Sequence, residues 1–238
     1  LPANEIAEAV QFLEWLADGN FTFMGLRSYR FDKNAKKKEL VADGKIALGI
    51  LTDPDAVIMT RGGKPVVMTP EIRDFLASSD PMFITKANLR SIVHRRTHLD
   101  YVGIKRYTKD GEMFGELRVV GLFTSSAYTK SVLSIPFLRH KANTLLEASK
   151  ADRGGHAGKA LLNVMETWPR DEFFQASVDV LQEHTALAVQ LEERPRIRAL
   201  VRRDKFDRFV SVLIYVPRER YDSGARMRIG VALAELFD

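Results

Sequence analysis

Four short constellations in this 238-residue chain gather side chains that can do chemistry. Gly154-Gly155-His156-Ala157-Gly158-Lys159 has the composition of a phosphate loop, in which glycine backbone N–H groups and a lysine cradle phosphate oxygens. That motif needs four residues between its outer glycines, Ser or Thr after the lysine, and a strand before it. Here Ala160 follows the lysine and a helical pattern precedes, so the segment reads as a loop between helices. His94 and His98, four apart with Arg95 and Arg96 between them, suggest a metal or phosphate ligand pair. No acid or third histidine in the adjacent turn completes a coordination shell, Asp100 being nearest. Arg90, His94, Arg96 and His98 therefore read as a solvated strand face, with a small anion as the alternative ligand. Ser125 and Ser126 lack the Gly-x-Ser-x-Gly elbow of a nucleophile and read as a strand-ending turn. Asp171 and Glu172 are neighbours on what reads as a strand, so they point to opposite sides and cannot work as an acid–base pair. No catalytic constellation assembles.

The elements that would position these residues change character along the chain. Residues 4–18 carry a helical apolar period through Ile6, Val10 and Leu13, with Asn4 as N-cap and Gly19 as stop. Phe21 to Phe31 reads as an aromatic-rich strand, 32–38 as a turn, and Lys45 to Leu51 as the returning strand. Thr69 caps a short helix with Pro70 at its first position, running to Ala77, and Met82 to Ala87 is a further strand. Ser91 to Tyr107 and Glu112 to Thr124 are β-rich runs joined by Thr108-Lys109-Asp110-Gly111, a strong hairpin signal. This first unit reads as α+β with an antiparallel sheet, PAS-like or GAF-like. From Pro136 the pattern is helical, over 137–148 and 158–168. Glu172 to Ala176 reads as a short strand, Ser177 as the cap of a helix to Glu192, 196–203 and 209–216 as a hairpin, and 225–237 as a last helix. Strand–helix–strand–strand–helix is a ferredoxin-like unit lacking its last strand. The expected division is a PAS-like domain over 1–135, a helical connector over 136–170 and a partial ferredoxin-like, ACT-like domain over 171–238.

Composition narrows the function classes. The chain is 45% apolar and 28% charged, with 36 basic and 31 acidic side chains, a formal net charge of +5 and no cysteine. Disulfides and thiolate chemistry are excluded, and a reducing, cytoplasmic location is expected. No apolar run reaches the roughly 20 residues of a membrane span, and no signal peptide opens the chain. The absence of an initiator methionine, and an amphipathic run up to the last residue, read as an internal piece of a longer protein. Residues 171–193 hold six acids and no Lys or Arg, whereas 194–228 hold eleven basic and four acidic side chains. Adjacent blocks of opposite sign point to pairing within or between subunits rather than to nucleic acid, which wants a one-signed surface.

Several longer strings resemble a known family. Leu99-Asp100-Tyr101-Val102-Gly103-Ile104-Lys105-Arg106 and Val120-Gly121-Leu122-Phe123-Thr124-Ser125-Ser126-Ala127-Tyr128 are similar to the N-terminal region of the large bacterial NAD-specific glutamate dehydrogenases. So are the run from Gly158 to Gln175, the run from Arg202 to Phe209, and Tyr215-Val216-Pro217-Arg218-Glu219-Arg220-Tyr221. The resemblance implies a parent enzyme that deaminates L-glutamate to 2-oxoglutarate and ammonium with NAD. It also implies that the catalytic lysine, the catalytic aspartate and the dinucleotide fingerprint lie elsewhere in the polypeptide, so no cofactor is expected on this piece. The ACT and PAS-like modules of that family imply a regulatory or oligomer-forming role, with the catalytic domain and further copies of the chain as partners. An ACT-like unit implies, in addition, an amino-acid effector at the turn after its first strand, which places Gln175, Ser177 and Val178 as candidate ligand-binding residues. The chain lacks the glycine-rich ligand turn of many such domains, which favours the structural role over the sensor.

Overall fold

The structure, a computed structural model, describes residues 3–32, 40–61, 64–65 and 69–237. Helix α1 (Ala3–Trp15) runs into a wide turn over Leu16–Asn20, where Gly19 at φ 74° reverses the chain into β1 (Phe21–Phe31). Asn4 lies inside α1 rather than capping it. β2 (Leu40–Gly49) starts earlier than its apolar pattern predicts, and most of the turn expected over 32–38 lies outside the described residues. Gly49 ends β2 at φ 60°, where a Cβ would stand 2.1 Å from the Met24 carbonyl oxygen, so only glycine fits. After the two-residue strands β3 (Thr60–Arg61) and β4 (Lys64–Pro65), α2 (Pro70–Ala77) forms as read: Thr69 Oγ1 accepts the Ile72 N–H at 3.3 Å.

Strands β5 (Met82–Arg90), β6 (His98–Tyr107) and β7 (Met113–Phe123) complete a five-stranded antiparallel sheet in the order β2-β1-β7-β6-β5. The long strand expected from Ser91 is interrupted. Residues 91–97 make a turn in which the Ser91 N–H donates to Thr97 O and His94 sits at φ 61°. The sheet is buried on both faces along β6 and β7, while the edge strand β2 is mostly exposed, and the period of two sorts its residues. Tyr101 and Val120 join Leu51, Phe75 and Phe83 under the crossover made by residues 50–61 and 69–77, whereas Val102 and Val119 face Phe12, Leu138 and Phe174.

That second face is covered by helices α3 (Ser125–Thr129), α4 (Leu138–Ala148), α5 (His156–Thr167), α6 (Arg170–Gln175) and α7 (Val178–Glu193). The structure corrects the strand expected over Glu172–Ala176: it is the short helix α6. Phe173 and Phe174 are adjacent and both fully buried, which suits a short helix wedged between sheet and helices as well as a two-faced strand. The chain ends with the hairpin of β8 (Arg198–Arg203) and β9 (Val210–Tyr215), then α8 (Ser223–Phe237). The observed class is therefore α+β, with helix–hairpin–helix at the end in place of the strand-first ferredoxin order.

Candidate functional site

A cavity of about 500 Å³ lies where the sheet edge, the helices and the hairpin meet. Its floor is the start of β5 at Met82 and Phe83. One wall is the α6–α7 turn from Phe174 to Val180, another is α4 at Phe137 and Lys141, and α1 and β8 close the rim with Glu5 and Arg202. The sequence-predicted ligand residues are together here: Gln175 in the last turn of α6, Ser177 between the helices, and Val178 at the start of α7. Ser177 caps α7, its Oγ accepting the Val180 N–H at 3.4 Å.

Most charged groups around the cavity are engaged in holding the elements in place. Lys141, inside the apolar stripe that α4 presents through Leu138, Ala142 and Leu145, is 7% exposed. Its Nζ donates to the carbonyl oxygens of Phe173 at 3.1 Å, Phe174 at 2.9 Å and Ala176 at 2.7 Å. Those are the carbonyls that the end of a short helix leaves without intrahelical partners, so Lys141 serves as the C-cap of α6. Burial, with the Lys205 and Arg202 cations nearby, lowers its pKa to about 7. Three carbonyl acceptors match three ammonium protons, which favours the charged form against that burial. Arg202 makes a two-pronged bond to Glu172, Nε to Oε2 at 2.7 Å and Nη2 to Oε1 at 2.8 Å. Lys205 pairs with Asp80 at 3.0 Å, and Glu8 accepts from Arg139 Nε and the Phe137 N–H, each at 2.9 Å. Two acceptors are left over. Glu5 Oε2 and Gln175 Oε1 are buried atoms with no hydrogen-bond partner.

A second junction fixes the hairpin to the sheet. Asp204, in the β8–β9 turn, accepts from Thr85 Oγ1 at 2.9 Å and from Arg208 Nε at 2.7 Å, with both charged side chains almost wholly buried. Phe206, fully buried, enters the cluster under the crossover, its ring 4.7 Å from that of Phe83. A third contact joins sheet and helices: Lys86 reaches Asp100 at 2.6 Å and Asp171 at 3.1 Å, and Tyr128 donates to Asp171. Burial opposes the charge on Lys86, yet the two carboxylates outweigh it and raise its pKa.

The other sequence candidates do not form sites. His98 Nδ1 lies 3.0 Å from the Ala87 carbonyl and its Nε2 accepts from Arg90, while His94 is in the turn, so the two do not share a strand face. Ser125 and Ser126 open α3 rather than ending a strand in a turn, and Gly155 precedes α5. Asp171 and Glu172 point to different partners, Lys86 and Arg202. Among the described residues no group of three or more His, Cys, Asp or Glu could hold a metal, and no helix is long and apolar enough to cross a membrane. Sequence reasoning missed Glu5 and Lys141. A lysine inside an apolar helical stripe was the available signal for the latter.

Comparison with known proteins places these parts in a wider context. A family model described as glutamate dehydrogenase, helical motif 1, matches residues 135–194, and one described as glutamate dehydrogenase, ACT2 domain, matches residues 198–238. The NAD-specific glutamate dehydrogenase of Pseudomonas aeruginosa is 36% identical over 99% of this chain, and that of Halomonas elongata 32% identical over 97%. The enzyme of the same name from Mycobacterium tuberculosis is 29% identical over 95%. The chain spans about 14% of the length of the first two and 13% of the third.

Proposed function

We propose that this chain is a non-catalytic regulatory and assembly segment of a NAD-specific glutamate dehydrogenase, the enzyme it resembles along nearly its whole length. The observation that carries the reading is that the matched units are a helical motif and an ACT2 domain, and that the charged groups where they meet are mostly spent on holding elements together. In this reading L-glutamate and water become 2-oxoglutarate and ammonium, as NAD takes up a hydride, at a catalytic domain elsewhere in a cytoplasmic polypeptide. The residues of this chain do not fit a dinucleotide. There is no G-x-G-x-x-G, and the strands described pair antiparallel throughout, without the parallel crossover whose helix N-terminus receives a pyrophosphate. The antiparallel sheet behind α1 supports a PAS-like first module.

Assembly is supported by unspent charge. On α7, Asp179, Glu183, Glu192 and Glu193 make no ion pair among the described residues, and neither do Arg194, Arg196 and Arg198 that follow. Their pairing between copies predicts self-association that weakens from low to high salt, as read by sedimentation velocity. The direct test of the reading is activity: the purified chain should reduce no NAD with glutamate, and measurable turnover would sink the assignment. A second reading, an amino-acid sensor, is favoured by one observation: Gln175, Ser177 and Val178 line one cavity at the junction of the modules.

A further inference from the structure

We propose that the junction cavity binds a protonated amine carried on an apolar body, with Glu5 and Gln175 as its acceptors. This rests on the sensor reading of the same cavity and specifies the class of ligand. The start of α7 offers little to hold a carboxylate. Ser177 Oγ already accepts the Val180 N–H, and Asp179 brings a negative charge into the first turn. The cations on the walls are engaged too: Lys141 gives its three protons to carbonyls, Arg202 embraces Glu172, Lys205 pairs with Asp80, and Arg203 pairs with Asp207 at 3.5 Å. What the cavity offers instead is acceptors without donors. Glu5 Oε2 and Gln175 Oε1 are both buried and both unbonded, while the Gln175 amide nitrogen donates to Asp171 O at 3.0 Å, which fixes the side chain with its oxygen unused. An acceptor buried without a donor is costly, and a ligand that supplies the donors removes that cost.

The shape agrees with the chemistry. The volume lies within the usual range for ligand cavities, and Met82, Phe83, Phe174 and Val178 give it an apolar lining suited to a hydrocarbon or aromatic body. Glu5 belongs to α1, Gln175 to α6 and Phe83 to β5, so one ligand touches the sheet module and the helical motif at once. Occupancy thus ties together parts that are separate in sequence, which is how a ligand biases one arrangement over another.

The experiment is calorimetric titration of the chain with three probes of one shape: phenylbutylamine, phenylbutanol and phenylbutyrate. The amine should bind at least tenfold more tightly than the alcohol, with the carboxylate weakest. Glu5→Gln and Gln175→Met should each weaken the amine about tenfold, while circular dichroism shows the fold kept. Amine affinity unchanged in both variants would overturn the assignment of Glu5 and Gln175. Binding of phenylbutyrate in preference to the amine would overturn the cationic class and leave the sensor reading standing. No binding of any probe by the folded chain would remove both.

Discussion

The helical motif and the hairpin unit that follows it are of comparable size, yet they are held in different ways. Helices α4 to α7 bury a dense apolar set, among them Leu138, Leu145, Met165, Phe173, Phe174 and Leu181, directly against the sheet. The β8–β9–α8 unit buries few apolar side chains, chiefly Leu200, Phe206 and Ala225, and Met227, Val231 and Leu236 of α8 stand more than half exposed. Its chief anchor is the turn between its strands, where Phe206 plugs the sheet's second core and Asp204 meets Arg208 and Thr85, with the Arg202–Glu172 pair and Leu200 as lesser ties from β8 to the helices. A two-stranded hairpin is marginal by itself, so the turn has to supply what the strands cannot. The first region is stabilised by area and the second by a plug.

The strongest way to break that contrast is Phe206→Ala. Removing a fully buried phenylalanine costs about 3–5 kcal/mol where the surroundings cannot collapse into the space. If the plug holds the unit, hydrogen exchange should quicken throughout β8, β9 and α8 while α4 to α7 stay protected. Leu145→Ala, with a loss of the same order, should instead lower protection across the helices and the sheet together. Equal loss of protection in both regions for both variants would show one cooperative body in place of two.

A smaller effect sharpens the picture of the helical motif, because its buried charge is answered by carbonyls rather than by an anion. Lys141 titrates near pH 7 in the folded chain against about 10.5 when unfolded. Between those values the unfolded chain holds a proton that the folded chain sheds, so stability rises with pH through the window and is flat below it. From pH 7.5 to 9.5 the rise should be about 2–3 kcal/mol. Lys141→Met should lack it, and the wild-type-minus-variant difference is the quantity to follow by urea denaturation. Lys105, lowered to about 8 by burial, adds a slope of the same sign to both proteins and cancels. A flat difference would mean that the three carbonyls hold the ammonium fully.

Why some of this was legible in the sequence and some was not has a physical basis. Local devices were readable: Pro70 after Thr69, Ser177 before α7, Gly19 in the turn that follows α1 and Asp110-Gly111 in the hairpin each state their turn or cap chemistry in one or two residues. Glu172-Phe173-Phe174-Gln175 was misread because five or six residues with two aromatics cannot distinguish a strand from one helical turn, and tertiary packing decided it. The break over 91–97 was hidden by β-branched Ile92 and Val93, which the structure leaves exposed in a turn. At the cavity, Gln175, Ser177 and Val178 entered only through the resemblance, as the turn after the first strand of an ACT-like unit, and that strand is helix α6. Glu5 and Phe83 reach the same space from elements 90 to 170 residues away, and only the fold brings them there.

The smallest effect compares the same device in the two regions. Ser177 caps α7 through the Val180 N–H, and Asp222 caps α8 through the Ala225 N–H at 2.5 Å. Replacing either by alanine removes one cap, about 1 kcal/mol of helix stability. Helix α7 buries Leu181, Thr185, Ala188 and Leu191, so Ser177→Ala should lower the unfolding free energy of the whole chain by that amount and shift its unfolding midpoint downward. Helix α8 buries only Ala225, so Asp222→Ala should fray that helix by hydrogen exchange and leave the global midpoint within error. If the two substitutions shift the midpoint equally, α8 is coupled to the body through more than the turn at Phe206, and the plug is not the anchor.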